Sequence, residues 1–133
     1  MSEKVLHLPK PLAGTVLEAA ARAYPRECCG LIEGIEHSDG WQALAVHETA
    51  NVATEPERRF LIDPQAQFDL LRRLRSSERR IVGCFHSHPD GTAAPSARDL
   101  DEASTILGID PATLWRKRKK YGLENILVRR GDR

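Results

Sequence analysis

The sequence predicts an α/β fold: a mixed sheet flanked by helices and followed by a helix-turn-helix. Three observations carry this expectation. Short apolar or alternating runs at Cys29 to Glu33, Trp41 to Glu48, Phe60 to Ile62 and Ile81 to His86 read as strands. Two stretches interleaved with them, Leu12 to Tyr24 and Gln65 to Ser76, carry apolar residues at helical spacing. Beyond them, residues 101–124 read as two short helices joined by a Gly-containing turn.

Taken in order, Lys4 to Leu8 is an edge strand stopped by Pro9 and Pro11. Leu12, Val16, Ala20 and Tyr24 then fall at intervals of four, with Leu17 beside them, and Pro25 ends that helix. Glu27 stands in the connection just before the strand that begins at Cys29. Gly34 to Gly40 reads as a turn region, with Asp39-Gly40 as the hairpin signal. In the return strand Leu44 and Val46 share one face, and Ala43 and Ala45 the other. His47 is a lone histidine there with no expected metal role. Asn51 to Glu57 is a polar loop, and Phe60-Leu61-Ile62 a third strand. Asp63-Pro64 supplies an N-cap and a first-turn proline. In the helix that follows, Phe68, Leu70, Leu71 and Leu74 form the apolar side, and Arg72, Arg73 and Arg75 a solvated one.

The 133 residues suffice for one modest domain, and a hydrophobic content of 41% supports a core. Net charge is +1, so the whole chain is no polyelectrolyte, but the distribution is uneven. Residues 1–99 hold 12 Lys/Arg against 14 Asp/Glu, whereas residues 100–133 hold 8 against 5. Three cysteines, two of them adjacent at Cys28 and Cys29, argue against a disulfide framework and for a reducing compartment. No run of 18 apolar residues and no signal-peptide core is present, so the expected location is cytoplasmic, away from membranes.

The chemistry concentrates in Val82 to Leu100. The strand ending at Phe85 runs into His86-Ser87-His88, and residues two apart on a strand project to the same side. Pro89, Asp90 and Gly91 break the strand, and Ser96-Ala97-Arg98-Asp99 opens a helix that brings a carboxylate back towards the histidines. Two His and one Asp make a three-ligand set that leaves a tetrahedral zinc one open position. Such a site needs a general base and a donor for the developing oxyanion. Glu27 is the candidate base and Ser96 the candidate donor. Ser96 and Asp99 also form a helix-capping pattern, a role that competes for the same oxygens. Cys84 shares the face of His86 and reads as a packed thiol rather than a ligand.

His86-Ser87-His88-Pro89, with seven residues between His88 and Ser96 and two between Ser96 and Asp99, and Glu27 ahead of Cys29-Gly30 together resemble the JAMM (MPN+) metalloprotease family in its short prokaryotic form. The resemblance covers about residues 5 to 100. It implies zinc held by His86, His88 and Asp99, a water activated by Glu27, and an oxyanion steadied by Ser96. It also implies hydrolysis of an amide or isopeptide bond at the C-terminal tail of ubiquitin or a ubiquitin-like sulfur-carrier protein.

Residues 101–124 depart from that pattern. Ala103, Ile106 and Leu107 make one apolar stripe, Gly108-Ile109-Asp110 the turn, and Pro111 to Lys120 a second helix ended at Gly122. The wording resembles the Fis-type helix-turn-helix of NtrC-like bacterial regulators, which implies that Thr113, Arg116, Lys117 and Lys120 face DNA. One such motif without dimerising helices binds weakly and non-specifically. The alternative is that these helices pack on the sheet with their Lys/Arg run solvated. Ile126-Leu127-Val128 is a last strand that replaces missing sheet edges, and exposed edges would favour a homodimer. The division is thus 1–100 for the metalloprotease-like domain, 101–124 for the helix-turn-helix, and 125–133 for a short strand and tail. The leading expectation is a zinc-dependent peptidase or isopeptidase. The rival is a DNA-binding regulator with a non-catalytic metal domain.

Overall fold

The computed structural model describes residues 5–89, residue 106, and the backbone of residues 126–128. The elements are β1 (Val5–His7), α1 (Lys10–Ala23), β2 (Cys29–His37), β3 (Gly40–Thr49), α2 (Pro64–Leu74), β4 (Arg80–His86) and β5 (Ile126–Val128). They form one five-stranded sheet in the order β1-β3-β2-β4-β5. β1 runs parallel to β3, and the other pairings are antiparallel. The expected mixed sheet with flanking helices is therefore present.

The sheet has an apolar cluster on each face. On one, Leu12, Val16, Ala20 and Ala23 of α1 pack with Leu6, Cys28, Ile32, Trp41, Val82 and Phe85. On the other, Leu70 and Leu74 of α2 pack with Cys29, Leu31, Phe60, Ile62, Ile81 and Cys84, joined by Ile106. β2 lies at the centre and is buried from Cys29 through Gly34, covered on both faces and paired on both edges. Gly30 has to be glycine, because a Cβ there would collide with the Phe85 ring and the His47 carbonyl.

Several sequence expectations need correction. β2 does not stop at Glu33 but continues to His37, leaving a two-residue turn, Ser38-Asp39. Gly34 is a strand residue, pressed against the Gln42 carbonyl and Val82. The pairing shifts register there, from Glu33 opposite Ala45 to Gly34 opposite Ala43, so Leu44 is the extra residue of a bulge. The bulge turns Ala43 and Val46 to the same cluster, against the simple alternation expected. Phe60-Leu61-Ile62 is no strand. Ile62 makes a single bridge to Asn51, while Phe60 and Ile62 are buried as core. On α2, Leu70 faces the core, but Phe68 and Leu71 are exposed, and Arg72 lies over the Phe68 ring at 5.7 Å. Leu17 and Tyr24 of the expected α1 stripe are also exposed, and Ala19 takes the buried place.

The expected cap of α2 and the expected last strand are both present. Asp63 caps α2, its carboxylate accepting from Gln65 N at 3.0 Å. β5 pairs antiparallel with β4 at Ile126, Leu127 and Val128, as the terminal strand anticipated. None of the three cysteines is in a disulfide, and all three are buried. Among the described residues no helix is long and apolar enough to cross a membrane.

Candidate active site

The register of β2 on β4 builds the site. Cys29 lies opposite His86, so the start of one strand meets the end of the other. The ladder continues past β4: Ser87 N donates to the Cys28 carbonyl at 3.1 Å, and Cys28 N donates to Ser87 Oγ at 2.8 Å. That reciprocal pair pulls residues 27–28 against residues 87–88. Glu27 is thereby set beside both histidines.

His86 is buried, and its ring lies flat on Phe60, with centroids 4.4 Å apart and planes at 13°. This stacking sets the plane of the imidazole, and Nε2 lies 2.8 Å from the Nε2 of His88. One ligand atom each from Glu27, His86 and His88 gathers within 4.8 Å. Two imidazole nitrogens and a carboxylate oxygen are the donor types that zinc takes. Glu27 and His86 are buried and His88 half-buried, so the donor set is gathered where a divalent cation would offset the cost of burying it.

Glu27 is fixed through its backbone. Its N–H donates to the Pro56 carbonyl at 2.7 Å. Its carbonyl accepts from Asn51 Nδ2 at 3.0 Å. The same Asn51 amide donates to the Arg59 carbonyl at 3.0 Å, and its Oδ1 accepts from Ala53 N at 3.1 Å and Leu61 N at 3.0 Å. One side chain therefore ties the 51–61 loop to the base. Glu27 also lines a cleft of about 330 Å³ with Arg22, Arg26, Cys28, Glu48 and Asn51.

Burial pushes the Cys28 thiol above its ordinary value, outweighing the contact with Ser87. A thiol held protonated is a poor nucleophile, so cysteine chemistry is a weak competitor at this site. Cys84, fully buried beside Leu31 and Phe60, is packed in the core as the sequence suggested. His47 pairs with Glu33, its Nε2 donating to Oε1 at 2.7 Å.

The structure thus brings Glu27, His86 and His88 together. Ser96, Asp99, Thr113, Arg116, Lys117 and Lys120 lie outside the described residues. Asn51 and Ser87 escaped the sequence reading. Ser87 had a signal, since the residue between two ligand candidates on one face must point to the other. Asn51 had none beyond its position at the start of the polar loop after β3.

A family model described as prokaryotic homologs of the JAB domain matches residues 9–126. The chain is 38% identical over 87 residues to a Haloferax volcanii protein named desampylase, which spans 65% of this chain and 61% of that protein. It is 32% identical over 99 residues to a Thermus thermophilus protein named as a probable TtuB-protein conjugate cleaving protease, 74% of this chain and 64% of that one. The match thus spans somewhat over three fifths of the length of these relatives. A protein of Desulfitobacterium hafniense, solved in solution, shares the fold at a TM-score of 0.65 with 32% identity, over 74% of this chain and 67% of that one. With the Glu27, His86 and His88 cluster set on such a sheet, the chain belongs to the family of prokaryotic JAB-domain proteins.

Proposed function

We propose that this chain is a zinc-dependent isopeptidase that cleaves the amide bond joining the C-terminal tail of a ubiquitin-like or sulfur-carrier protein to its target. The observation that carries the reading is the buried convergence of the Glu27 carboxylate with Nε2 of His86 and His88. The names of two relatives, a desampylase and a conjugate-cleaving protease, support it.

The donor chemistry fits zinc, with His86 and His88 as ligands and Asp99 completing the set by the spacing of the motif. When bound, zinc would polarise the scissile carbonyl and acidify a water at the site. The chain's own groups supply the remaining functions. Glu27 takes a proton from the attacking water on its carboxylate and returns it to the leaving amine, so no net proton is consumed. Ser96 donates to the oxygen that becomes negative when the carbonyl is attacked. Phe60 backs the plane of the His86 ring, and Ser87 and Asn51 hold the Glu27 segment in place. The Arg22 and Arg26 side of the cleft would accept the extended tail.

The test is cleavage of a ubiquitin-like conjugate by wild type and Glu27→Gln, with zinc content measured on both. Loss of turnover by about 10² or more with zinc retained supports the base. Full turnover by Glu27→Gln with zinc bound would remove Glu27 from this role. A wild type that folds and takes up no zinc would remove the reading altogether.

A further inference from the structure

The structure points to a second metal site, at the opposite end of the sheet. We propose that His7, His37 and Asp39 bind a first-row divalent cation of the zinc class, and that this ion fastens the N-terminal edge strand to the β2–β3 hairpin. The three residues come from two places in the chain: His7 ends β1, while His37 ends β2 and Asp39 sits in the turn just after it. His7 Nε2 lies 2.9 Å from Asp39 Oδ1, and His37 Nδ1 lies 3.0 Å from the same oxygen. The two imidazole centroids are 4.9 Å apart, and one ligand atom from each of the three residues falls within 4.8 Å.

This triangle is close to what a cation would need. Ligand atoms at about 2.0–2.1 Å from a tetrahedral zinc stand about 3.3 Å apart. Asp39 Oδ1 is already nearly that far from both nitrogens, so closure asks for shifts of tenths of an ångström at Asp39 and a modest approach of the two rings. The backbone is held for it. Val5 N donates to the Asp39 carbonyl at 2.8 Å, and Val5 is in register with Gly40. Ser38 Oγ, 3.4 Å from His37 Nδ1, offers a further oxygen beside the site. All three side chains are between 39% and 54% exposed, so an ion reaches them without opening the fold.

The site is independent of the catalytic one. Cys29, at the other end of β2, pairs with His86. Eight residue steps along β2 separate Cys29 from His37, about 26 Å at roughly 3.3 Å per step. Two imidazoles and one carboxylate suit zinc, nickel or copper rather than calcium or magnesium. Binding to the folded chain alone stabilises it by mass action, and the gain falls on β1, a three-residue edge strand paired on one side only.

The experiment is equilibrium dialysis against micromolar free zinc, with zinc counted per chain, alongside NMR of the imidazole nitrogens. We expect His88→Ala to hold one zinc and the double variant His37→Ala/His88→Ala to hold none. We expect zinc to move the Nε2 resonance of His7 and the Nδ1 resonance of His37. Asp39→Asn keeps an acceptor in the turn and is expected to weaken uptake at this site at least tenfold. Equal zinc in His88→Ala and the double variant, or His7 and His37 resonances that ignore zinc, would overturn the proposal. A wild type holding one zinc that His37→Ala loses and His88→Ala keeps would leave this site standing and sink the catalytic one.

Discussion

The side-chain amide of Asn51 donates to the Glu27 carbonyl at 3.0 Å, so a loop residue sets the backbone that carries the candidate base. Its two halves do different work. Nδ2 reaches Glu27 and Arg59, whereas Oδ1 accepts from Ala53 and Leu61. Asn51→Asp keeps the second pair and loses the first. We predict that Asn51→Asp keeps its zinc and its KM but loses kcat by about 10- to 100-fold, since small misplacements of a catalytic group cost that much. Asn51→Ala loses both halves and should also destabilise the fold by about 1–2 kcal/mol, because the Glu27 and Arg59 carbonyls and the Ala53 amide, all at least part-buried, each lose a partner. Unchanged kcat in a folded Asn51→Asp would show that Glu27 is held by other contacts.

Removal of metal separates the chemistry from the fold. Both apolar clusters pack from side chains of the sheet and of α1 and α2, with His86 held by Phe60. Chelation is therefore predicted to abolish conjugate cleavage while the far-UV circular dichroism and a cooperative thermal transition persist. The transition should fall by several degrees, the loss of linkage stabilisation from bound ions. Readdition of zinc should restore activity. Cleavage that survives exhaustive chelation would contradict a metal-dependent reaction, and an unfolded apo-protein would contradict a core that stands without metal.

How far the sequence could be read follows from what its patterns encode. His86 and His88 are legible because a two-residue spacing at a strand end is a short-range signal, although β4 itself ends at His86 and His88 lies just beyond it. Asp63 and Pro64 were legible for the same reason, as a cap needs only its neighbours. The length of β2 was not, because Gly34 normally signals a turn, and here it answers a close approach of Gln42 and Val82 from distant parts of the chain. Phe60 and Ile62 have the composition of a strand, yet they are buried without a ladder because the loop carrying them is pinned by Asn51. The His7, His37 and Asp39 cluster depends on the same feature: only because β2 runs through Gly34 to His37 does that histidine come to lie beside β1. On α2 periodicity alone does not set the width of the apolar side, since Phe68 and Leu71 are as hydrophobic as Leu70 but turn outwards.

The buried Glu33 carboxylate offers a test by pH. Burial alone would raise its pKa, but the hydrogen bonds from Arg79 at 2.7 Å and His47 at 2.7 Å together outweigh it and hold the carboxyl below its ordinary 4.5. A carboxyl whose pKa is depressed on folding gives stability that is fully present above the unfolded value and lost as pH falls through the folded value. The wild type should therefore lose stability below about pH 4.5, more steeply than Glu33→Gln does. At neutral pH Glu33→Gln should be less stable than wild type by about 1.5–3 kcal/mol, the range for hydrogen bonds to a charged group. Urea titrations of both proteins at pH 7 and pH 3.5 would measure it. The gap between them should narrow at the lower pH, and a gap that stays constant or widens would mean that the Arg79 and His47 contacts do not set the carboxyl's charge.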